Sequence, residues 1–444
     1  MGEKPWAFGQ EIAAGASKNY LAKFLSFFFG ILYLFIIARV LGPEKFGQVI
    51  YLMTIVPGFA LLLGLGAMQD VVINFGSRYK DRALLRKILL LSIICSLLLS
   101  AIVAAIGYYS PAFFGNAPLP LFLLSIPLLG LFVIYSFYYS LFHAFKGFGV
   151  ILKAVLLDNT ANLLLAASMY YVLGWDIYAV LIARLLTYLL GIAYFLHASR
   201  KFEYSQKGGW SEKELHDYSK NILLNEVPKQ LPGQLLNWLL GAFAPAKMLG
   251  EYFFAQRIAA GAIDNLYSAI RETVYPYSGE NFRNEGAVKA IVSKSVRVGL
   301  LAHTLAFVAL CALLFPLISF FFPDYAGSIP LVILLSLASV LTTITLSVNF
   351  FRVMGHLGDS VEITAIYGAV FSILSIALIP SYGVYGAAAA RLAGGVLQIA
   401  LYKRYLAKRN FVFSMVPDVA DAKSLFEALA SQLRGIIGMI ARAK

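Results

Sequence analysis

Long apolar runs separated by short polar connections are the dominant pattern along this chain. The first run lies within Ser17–Gln48, and its centre, Phe24–Ala38, has no charged side chain. Gly42-Pro43 then turns the chain before a second run begins. A helix rises ~1.5 Å per residue, so about 20 residues cross a bilayer core of ~30 Å. The pattern therefore predicts membrane-spanning helices.

We count twelve such runs, numbered here as spans 1 to 12. They cover residues 18–41, 46–68, 87–109, 119–142, 151–173, 177–198, 220–243, 250–273, 296–318, 328–351, 361–380 and 383–404. Lys and Arg are many in the connections after the even-numbered spans and few or absent in the others. By the positive-inside rule, both termini are expected on the cytoplasmic side, and an even number of spans requires them to share one side.

Composition places the chain in the same class. Of its 444 residues, 60% are hydrophobic and 13% are charged, whereas soluble domains carry roughly 25% charged residues. The net charge of +13 fits basic cytoplasmic connections, and no nucleic-acid partner is expected. The two cysteines, Cys95 and Cys311, each lie inside an apolar run, so we expect packing residues and no metal site.

Parts of the first half recur in the second half. Ser17-Lys18-Asn19 recurs as Ser219-Lys220-Asn221, an offset of 202 residues (219 − 17). Ile177–Leu185 matches Val384–Leu392 at an offset of 207 (384 − 177). These matches indicate a duplicated six-helix unit. Because six is even, both copies enter the membrane in the same direction, related by an axis along the membrane normal.

The repeat divides the chain into four predicted parts. They are an N-terminal lobe at 1–200, a cytoplasmic linker at 201–217, a C-terminal lobe at 218–406 and a basic tail at 407–444. From residue 418 onward the apolar residues of the tail fall on one helical face. That face either lies on the cytoplasmic leaflet or docks on the protein's own cytoplasmic loops.

Three motifs, in order along the chain, carry a resemblance to a known family. They are ARVLGPEKFGQ at 38–48, FPDYAGSIPL at 322–331 and IPSYGVYGAA at 379–388. The chain resembles the polysaccharide-exporting, Wzx-like flippases of the superfamily that also contains multidrug and toxin extrusion (MATE) transporters and lipid II flippases. The resemblance implies an all-α membrane protein with twelve transmembrane helices. It also implies two pseudo-symmetric six-helix lobes that face each other in a V, with a cavity lined mainly by helices 1, 2, 7 and 8.

The same resemblance implies translocation of a polyprenyl-phosphate-linked or pyrophosphate-linked oligosaccharide across the cytoplasmic membrane by alternating access. Other membrane proteins of polysaccharide assembly would be further partners. Pyrophosphate is a multiply charged anion that arginine binds bidentately, and translocation makes and breaks no bond. Neither an enzyme nor a cofactor is therefore expected. The alternatives are a multidrug exporter of the same superfamily and a membrane-embedded polysaccharide polymerase or ligase.

Span 8 holds the sharpest set of candidate residues, with spacings of 4, 3, 4, 3 and 4 that place them on one α-helical face. They are Arg257, Gly261, Asp264, Ser268, Arg271 and Tyr275. Ionisable groups at bilayer depth are costly and mark functional sites, and lipid cannot satisfy a polar stripe. We expect this face to line a cavity, with Asp264 able to carry a coupling proton or sodium ion. The alternative is that internal ion pairs hold helices together.

Span 7 carries a second polar face with Glu226 and Asn237, and Lys229 lies beside it. Pro228 and Pro232 disfavour a straight helix here. They indicate either a moving hinge or a static kink with a Glu226–Lys229 pair. Span 1 has a milder polar face and ends at Arg39. The predicted substrate-binding residues are Arg257, Asp264, Arg271, Lys229, Glu226, Asn237, Lys23 and Arg39. Arg184 and Arg391, related by the repeat, are expected to be packing or interface anchors.

Overall fold

The computed structural model describes most of the chain. The described residues are 5–62, 68–202, 204, 210–264, 266–267, 270–271, 274, 278, 281 and 283–423, with the backbone alone at 5–27, 62, 221–227 and 262. The elements over these residues are helices. The α-helices are α1 (Pro5–Leu62), α2 (Met68–Tyr79), α3 (Arg82–Tyr109), α4 (Leu119–Ser125), α5 (Pro127–Ala144), α6 (Phe148–Tyr171), α7 (Asp176–Ser199), α8 (Glu212–Phe243), α9 (Ala246–Ala259), α10 (Glu285–Phe321), α11 (Ile329–Leu341), α12 (Val348–Val353) and α13 (Leu357–Lys408).

Short segments of other helical types join several α-helices. They are 3-10 turns at Pro111–Phe114, Pro323–Ser328 and Thr342–Ser347 and a π-helical segment at Ala260–Asp264. Over its described residues, each predicted span lies largely within helix, with turns at Ile126 and at the end of span 5. Spans 1 and 2 lie in α1, and spans 11 and 12 lie in α13. These two helices bend at Gly42 (φ 69°) and Gly383 (φ 55°), where a left-handed backbone suits glycine.

The protein is a multi-pass membrane protein. Seven helical stretches among the described residues are long and apolar enough to cross a bilayer. Large apolar side chains remain exposed along them, including Leu97 and Leu98 of α3 and Phe315 of α10. A continuous exposed apolar face is unusual in a soluble monomer, whereas in a bilayer it contacts lipid.

The chain forms two compact units, Met1–Phe253 and Phe254–Lys444. The core of the first unit is built around buried Phe75, Phe142 and Phe195. The core of the second is built around buried Phe350 and Phe351. The sequence predicts a different boundary, the linker at 201–217 between two six-helix lobes related by the repeat. That division into lobes stays a prediction.

Local sequence signals account for several helix ends. The Asp81 carboxylate accepts hydrogen bonds from the backbone N–H groups of Ala83 and Leu84, so α3 begins directly after it. Ser211 caps α8 in the same way, through the N–H of Glu214. The helix α8 continues through both of its prolines, so neither Pro228 nor Pro232 ends it.

The residues after α13 cross back over the second unit, and we call residues 409–423 the C-terminal strap. Arg409 binds the Asp359 carboxylate at 2.7 Å, and Arg297 of α10 binds Asp421 at 2.6 Å. The Phe411 ring packs at 4.9 Å from Phe350. The strap is therefore docked on the protein itself. The rest of the predicted amphipathic tail, from residue 424 onward, lies outside the described residues.

Candidate functional site

The predicted stripe of span 8 is interrupted by a change of helix type. Arg257 is an exposed residue near the end of α9, and the π-helical segment that follows ends at Asp264. A π turn takes about one residue more than an α turn, which rotates the following residues by roughly 100° relative to an unbroken α-helix. The α-helical spacing predicts one face for Arg257, Asp264 and Arg271. Because the π turn lies between Arg257 and Arg271, their alignment on one face stays a prediction.

Exposure separates the charged residues of this helix from their neighbours. Arg257, Asp264 and Arg271 are exposed, whereas Ala259 and Ile263 are buried. The charged residues thus lie away from the packed side of the helix. π turns of this kind occur frequently at functional sites, where they redirect side chains.

Asp264, although exposed, interacts with polar groups on two other helices of the second unit. Its carboxylate accepts a hydrogen bond from the Ser339 hydroxyl of α11 and interacts electrostatically with Arg391 of α13. Tyr367 also lies within electrostatic range of Arg391. A Cβ at Gly394 would be only 3.1 Å from the Tyr367 ring, so the absence of a side chain at this position leaves room for the ring. The cluster therefore joins the π segment to two other helices.

More polar groups, some of them fully buried, follow Ser339 along the chain. The Thr345 hydroxyl donates to the Tyr267 phenol at 2.8 Å, and the Thr343 hydroxyl lies 2.6 Å from Nδ1 of His303. Asn349 is fully buried, and neither atom of its amide has a hydrogen-bond partner among the described residues. An unsatisfied buried amide of this kind can bind water or a polar ligand.

Two members of the Asp264 cluster are absent from the set predicted from the sequence. Ser339 lies in apolar span 10 with Ser336 and Thr343 at helical spacing, but uncharged hydroxyls in a span do not mark a site as ionisable groups do. Arg391 is conspicuous as a charge inside span 12, yet it is predicted to be a packing anchor. Its partner Asp264 comes from a helix more than 100 residues earlier in the chain (391 − 264 = 127). Helical periodicity relates residues within one helix only, so it cannot bring these two together.

Arg184, the repeat counterpart of Arg391, has a different environment. It binds Asp158 of α6 at 3.0 Å, and its guanidinium lies 4.2 Å from the centre of the Tyr188 ring. Both side chains of the ion pair are largely buried within the first unit. The prediction of a packing anchor is therefore confirmed for Arg184.

In the first unit, α8 presents Asn237 toward the protein interior. Asn237 is buried, and its amide oxygen has no hydrogen-bond partner among the described residues. One turn away, buried Gln234 packs against Gly58 of α1, where an added Cβ would overlap its amide. The Trp238 ring lies 5.2 Å from Phe59. Asn237 thus offers an unused acceptor on a helix that packs on α1.

For the remaining predicted residues the structure describes either the exposure of the side chain or the backbone alone. Lys229 and Arg39 are exposed. The side chains of Lys23 and Glu226 lie outside the described side chains, as do Ser268 and Tyr275 of the span 8 stripe. The structure therefore brings Asp264 together with Ser339 and Arg391.

Solved structures with the same fold are titled flippases or transporters. A structure titled lipid II flippase MurJ in an inward closed conformation matches with a TM-score of 0.72 at 15% identity, covering 93% of this chain and 90% of that one. An inward-facing MATE multidrug resistance transporter of the MOP superfamily matches with a TM-score of 0.64 at 15% identity, covering 87% and 96%. A MOP superfamily transporter from Pyrococcus furiosus matches with a TM-score of 0.60 at 16% identity, covering 88% and 93%.

These matches define the class of the protein: an all-α membrane protein with the fold of MATE transporters and MurJ. A search of curated proteins finds no significant match. A family model described as "Polysaccharide biosynthesis protein" matches residues 12–282, more than half of the chain. The chain belongs to this polysaccharide biosynthesis protein family, which confirms the resemblance carried by the three sequence motifs.

Proposed function

We propose that this protein is a flippase that translocates a polyprenyl-(pyro)phosphate-linked oligosaccharide across the cytoplasmic membrane by alternating access, for surface polysaccharide or glycan assembly. The family match over residues 12–282 carries the proposal, because it links the chain to polysaccharide biosynthesis. The MurJ structure, which shares the fold, is titled a lipid II flippase. Both observations favour a lipid-linked substrate and a transporter rather than a polymerase or ligase.

Export of drugs is the second candidate, because several structures with this fold are titled multidrug transporters. The charge of the candidate residues distinguishes the two. Lys229, Arg257 and Arg271 stand against Glu226 and Asp264, an excess of one positive charge (3 − 2). An excess of positive charge favours a phosphate-bearing anion over an organic cation.

Within the flippase, the two exposed arginines of span 8 are the proposed contacts for the phosphate-bearing headgroup. Arg271 meets it in the inward-open state and Arg257 in the outward-open state, and the π turn between them separates the two contacts. Two separate cations suit alternating access, because a single tight site would trap the substrate. Lys229, Glu226, Asn237, Lys23 and Arg39 complete the proposed substrate-binding set.

Asp264 is the proposed site of coupling to a proton or a sodium ion. Its carboxylate is held by Ser339 and lies near Arg391, so a change in its charge acts on two further helices of the same unit. Asp264→Asn removes the charge while keeping the shape. We expect this variant to change the dependence of transport on pH or on sodium, and Asp324→Asn, a change at an exposed carboxylate outside the spans, to leave that dependence unaltered.

The proposed location is the cytoplasmic membrane, with both termini in the cytoplasm and other polysaccharide-assembly membrane proteins as partners. A strain that lacks the gene tests the function. We expect lipid-linked glycan to accumulate on the cytoplasmic side, and wild-type protein to reverse this. A strain with normal glycan export and a new sensitivity to cationic drugs would instead support the multidrug alternative.

A further inference from the structure

Two grooves meet at the start of α3, on the surface of the first unit. One is a shallow, open groove along a single face of α3, and its described lining residues, among them Leu90, Leu91 and Ile94, all belong to that helix. The other has a volume of about 560 Å³ and lies between α3, α5 and α7, with Leu89, Phe137 and Leu196 in its walls. Arg82 and Arg86 line both grooves. The two arginines therefore form a ridge with an apolar groove on each side.

A third guanidinium adds to the positive charge at this ridge. Arg200, just after α7, lines the smaller groove together with Arg82 and Arg86, and all three are exposed. Among the described residues none of the three forms a salt bridge, and Arg82 lies over the Tyr204 ring at 5.9 Å. Lys87, one position further along α3, is instead paired with Glu212. The described part of the chain thus gathers three guanidinium groups at one groove, with no carboxylate of that part bound to any of them.

The apolar parts of the grooves are continuous with the lipid-exposed surface of α3. Leu90 and Leu91 are 49% and 50% exposed, and the exposed face continues through Leu97 and Leu98. Because α3 is a candidate membrane span, hydrocarbon chains cover this face. The arginine ridge lies at the first turns of α3, where the apolar span gives way to polar residues and where lipid headgroups begin.

We propose that this ridge binds an acidic phospholipid of the bilayer, with its phosphate on Arg82, Arg86 and Arg200 and one acyl chain in each groove. Arginine forks match phosphate oxygens bidentately, and basic pockets between membrane helices hold anionic lipid headgroups. A polyprenyl carrier offers the same phosphate chemistry but a single chain. An open apolar face of α3 and a groove between helices, which meet at one cation cluster, suit a diacyl lipid better.

The site is separate from the proposed transport path. Its walls come from α3, α5 and α7, whereas the predicted path uses spans 1, 2, 7 and 8. A bound lipid at this position would fix the inner ends of three helices of the first unit relative to one another. Lipid binding at this site can be measured without any assay of transport.

Native mass spectrometry of the purified full chain tests the proposal, with phosphatidylglycerol and phosphatidylcholine as probes. We expect the wild type to retain phosphatidylglycerol in preference to phosphatidylcholine. The triple variant Arg82→Ala, Arg86→Ala and Arg200→Ala should bind phosphatidylglycerol roughly tenfold more weakly, because three charged contacts are lost. The matched control changes Lys294, Lys403 and Arg404 to Ala, removing the same charge from exposed positions of the second unit, and should bind like the wild type.

A third probe, undecaprenyl pyrophosphate, distinguishes the source of the phosphate. Binding of this probe at the ridge, without binding of phosphatidylglycerol, would overturn the proposal. So would equal loss of phosphatidylglycerol in the triple variant and in its control, which would show only an effect of net charge. A variant with lysine at all three positions controls for misfolding, because it keeps the positive charge and should retain part of the binding. If the folded triple alanine variant retained lipid like the wild type, this would also contradict the proposal.

Discussion

At the scale of single residues, two arginines at equivalent repeat positions have different carboxylate partners. Arg184 takes Asp158 from α6 of its own unit. The offset of 207 that relates Arg184 to Arg391 relates Asp158 to Ala365 (158 + 207), so the second unit has no carboxylate at that position. Arg391 instead interacts with Asp264 of the π segment. One arginine is thus locked in an internal pair, and its counterpart is connected to the candidate site.

The Arg184–Asp158 pair should be important for stability. Its side chains are 22% and 13% exposed, and removal of one partner of a buried ion pair costs roughly 3–5 kcal/mol because the other charge is left uncompensated. We expect Arg184→Ala and Asp158→Ala each to lower the melting temperature of the detergent-solubilised protein. The double variant should lose less than the sum of the two. Strictly additive losses would show that the pair contributes nothing as a pair.

At the scale of helices, the sequence predicts the spans well and their irregularities poorly. Each span is an apolar run, and transfer of apolar side chains out of water determines where a helix crosses the membrane. The bends of α1 and α13 fall at Gly42 and Gly383, which lie between neighbouring runs in the sequence. The π turn at Ala260–Asp264 could not be predicted, because these residues suit an α-helix equally well and tertiary contacts select the turn. Docking of the tail on the protein itself is one of the two alternatives that the sequence leaves open, and the particular partners of Phe411 and Asp421 could not be predicted because they come from distant parts of the chain.

The contact between α1 and α9 depends on glycine. A Cβ on Gly250 would overlap the carbonyl of Pro43, and one on Gly47 would overlap that of Ala246. We expect Gly250→Ala to force the two helices apart and to cost about 1–3 kcal/mol, since backbone atoms cannot yield as side chains do. Gly149→Ala is the matched control, because no atom lies within 4 Å of its added Cβ. Equal thermal stability of the two variants would contradict the close approach.

The C-terminal strap should contribute to the thermal stability of the protein, and the residues beyond it should not. Truncation after Lys423 keeps the Arg297–Asp421 ion pair and the buried Phe411. Truncation after Arg409 removes both. We therefore expect the shorter truncation to leave the melting temperature near that of the full chain and the longer one to lower it. The same effect of both truncations would mean that the strap contacts carry no stability.

The strap also predicts a dependence of stability on pH. The hydrogen bond from Arg409 lowers the pKa of the Asp359 carboxyl below its ordinary value. A lowered pKa adds stability above the ordinary carboxyl pKa, and this stability is lost as the pH falls through the lowered value. Arg409→Gln should therefore reduce the melting temperature at neutral pH and reduce the further loss in acid. An unchanged acid profile in this variant would contradict the pairing.

At the scale of the whole molecule, the fold class follows from the sequence and the division into units does not. The twelve apolar spans and three motifs lead to the polysaccharide biosynthesis protein family and to the fold of MurJ and MATE transporters. The compact units divide at Phe253, later than the predicted linker, because α8 packs on α1 and α2. Sequence repeats are defined by matching residues, whereas compact units are defined by contacts in the folded chain. The boundary between repeats therefore need not coincide with the boundary between compact units.

The central claim is that the protein flips a lipid-linked oligosaccharide, and transport in proteoliposomes tests it most directly. The wild type is reconstituted with a fluorescent polyprenyl-pyrophosphate oligosaccharide, and movement between leaflets is followed by quenching from outside. We expect rapid flipping by the wild type and by Lys294→Ala, loss of flipping in Arg257→Ala and Arg271→Ala, and partial recovery with lysine, which offers a point charge in place of a fork. No flipping by folded wild-type protein would contradict the account.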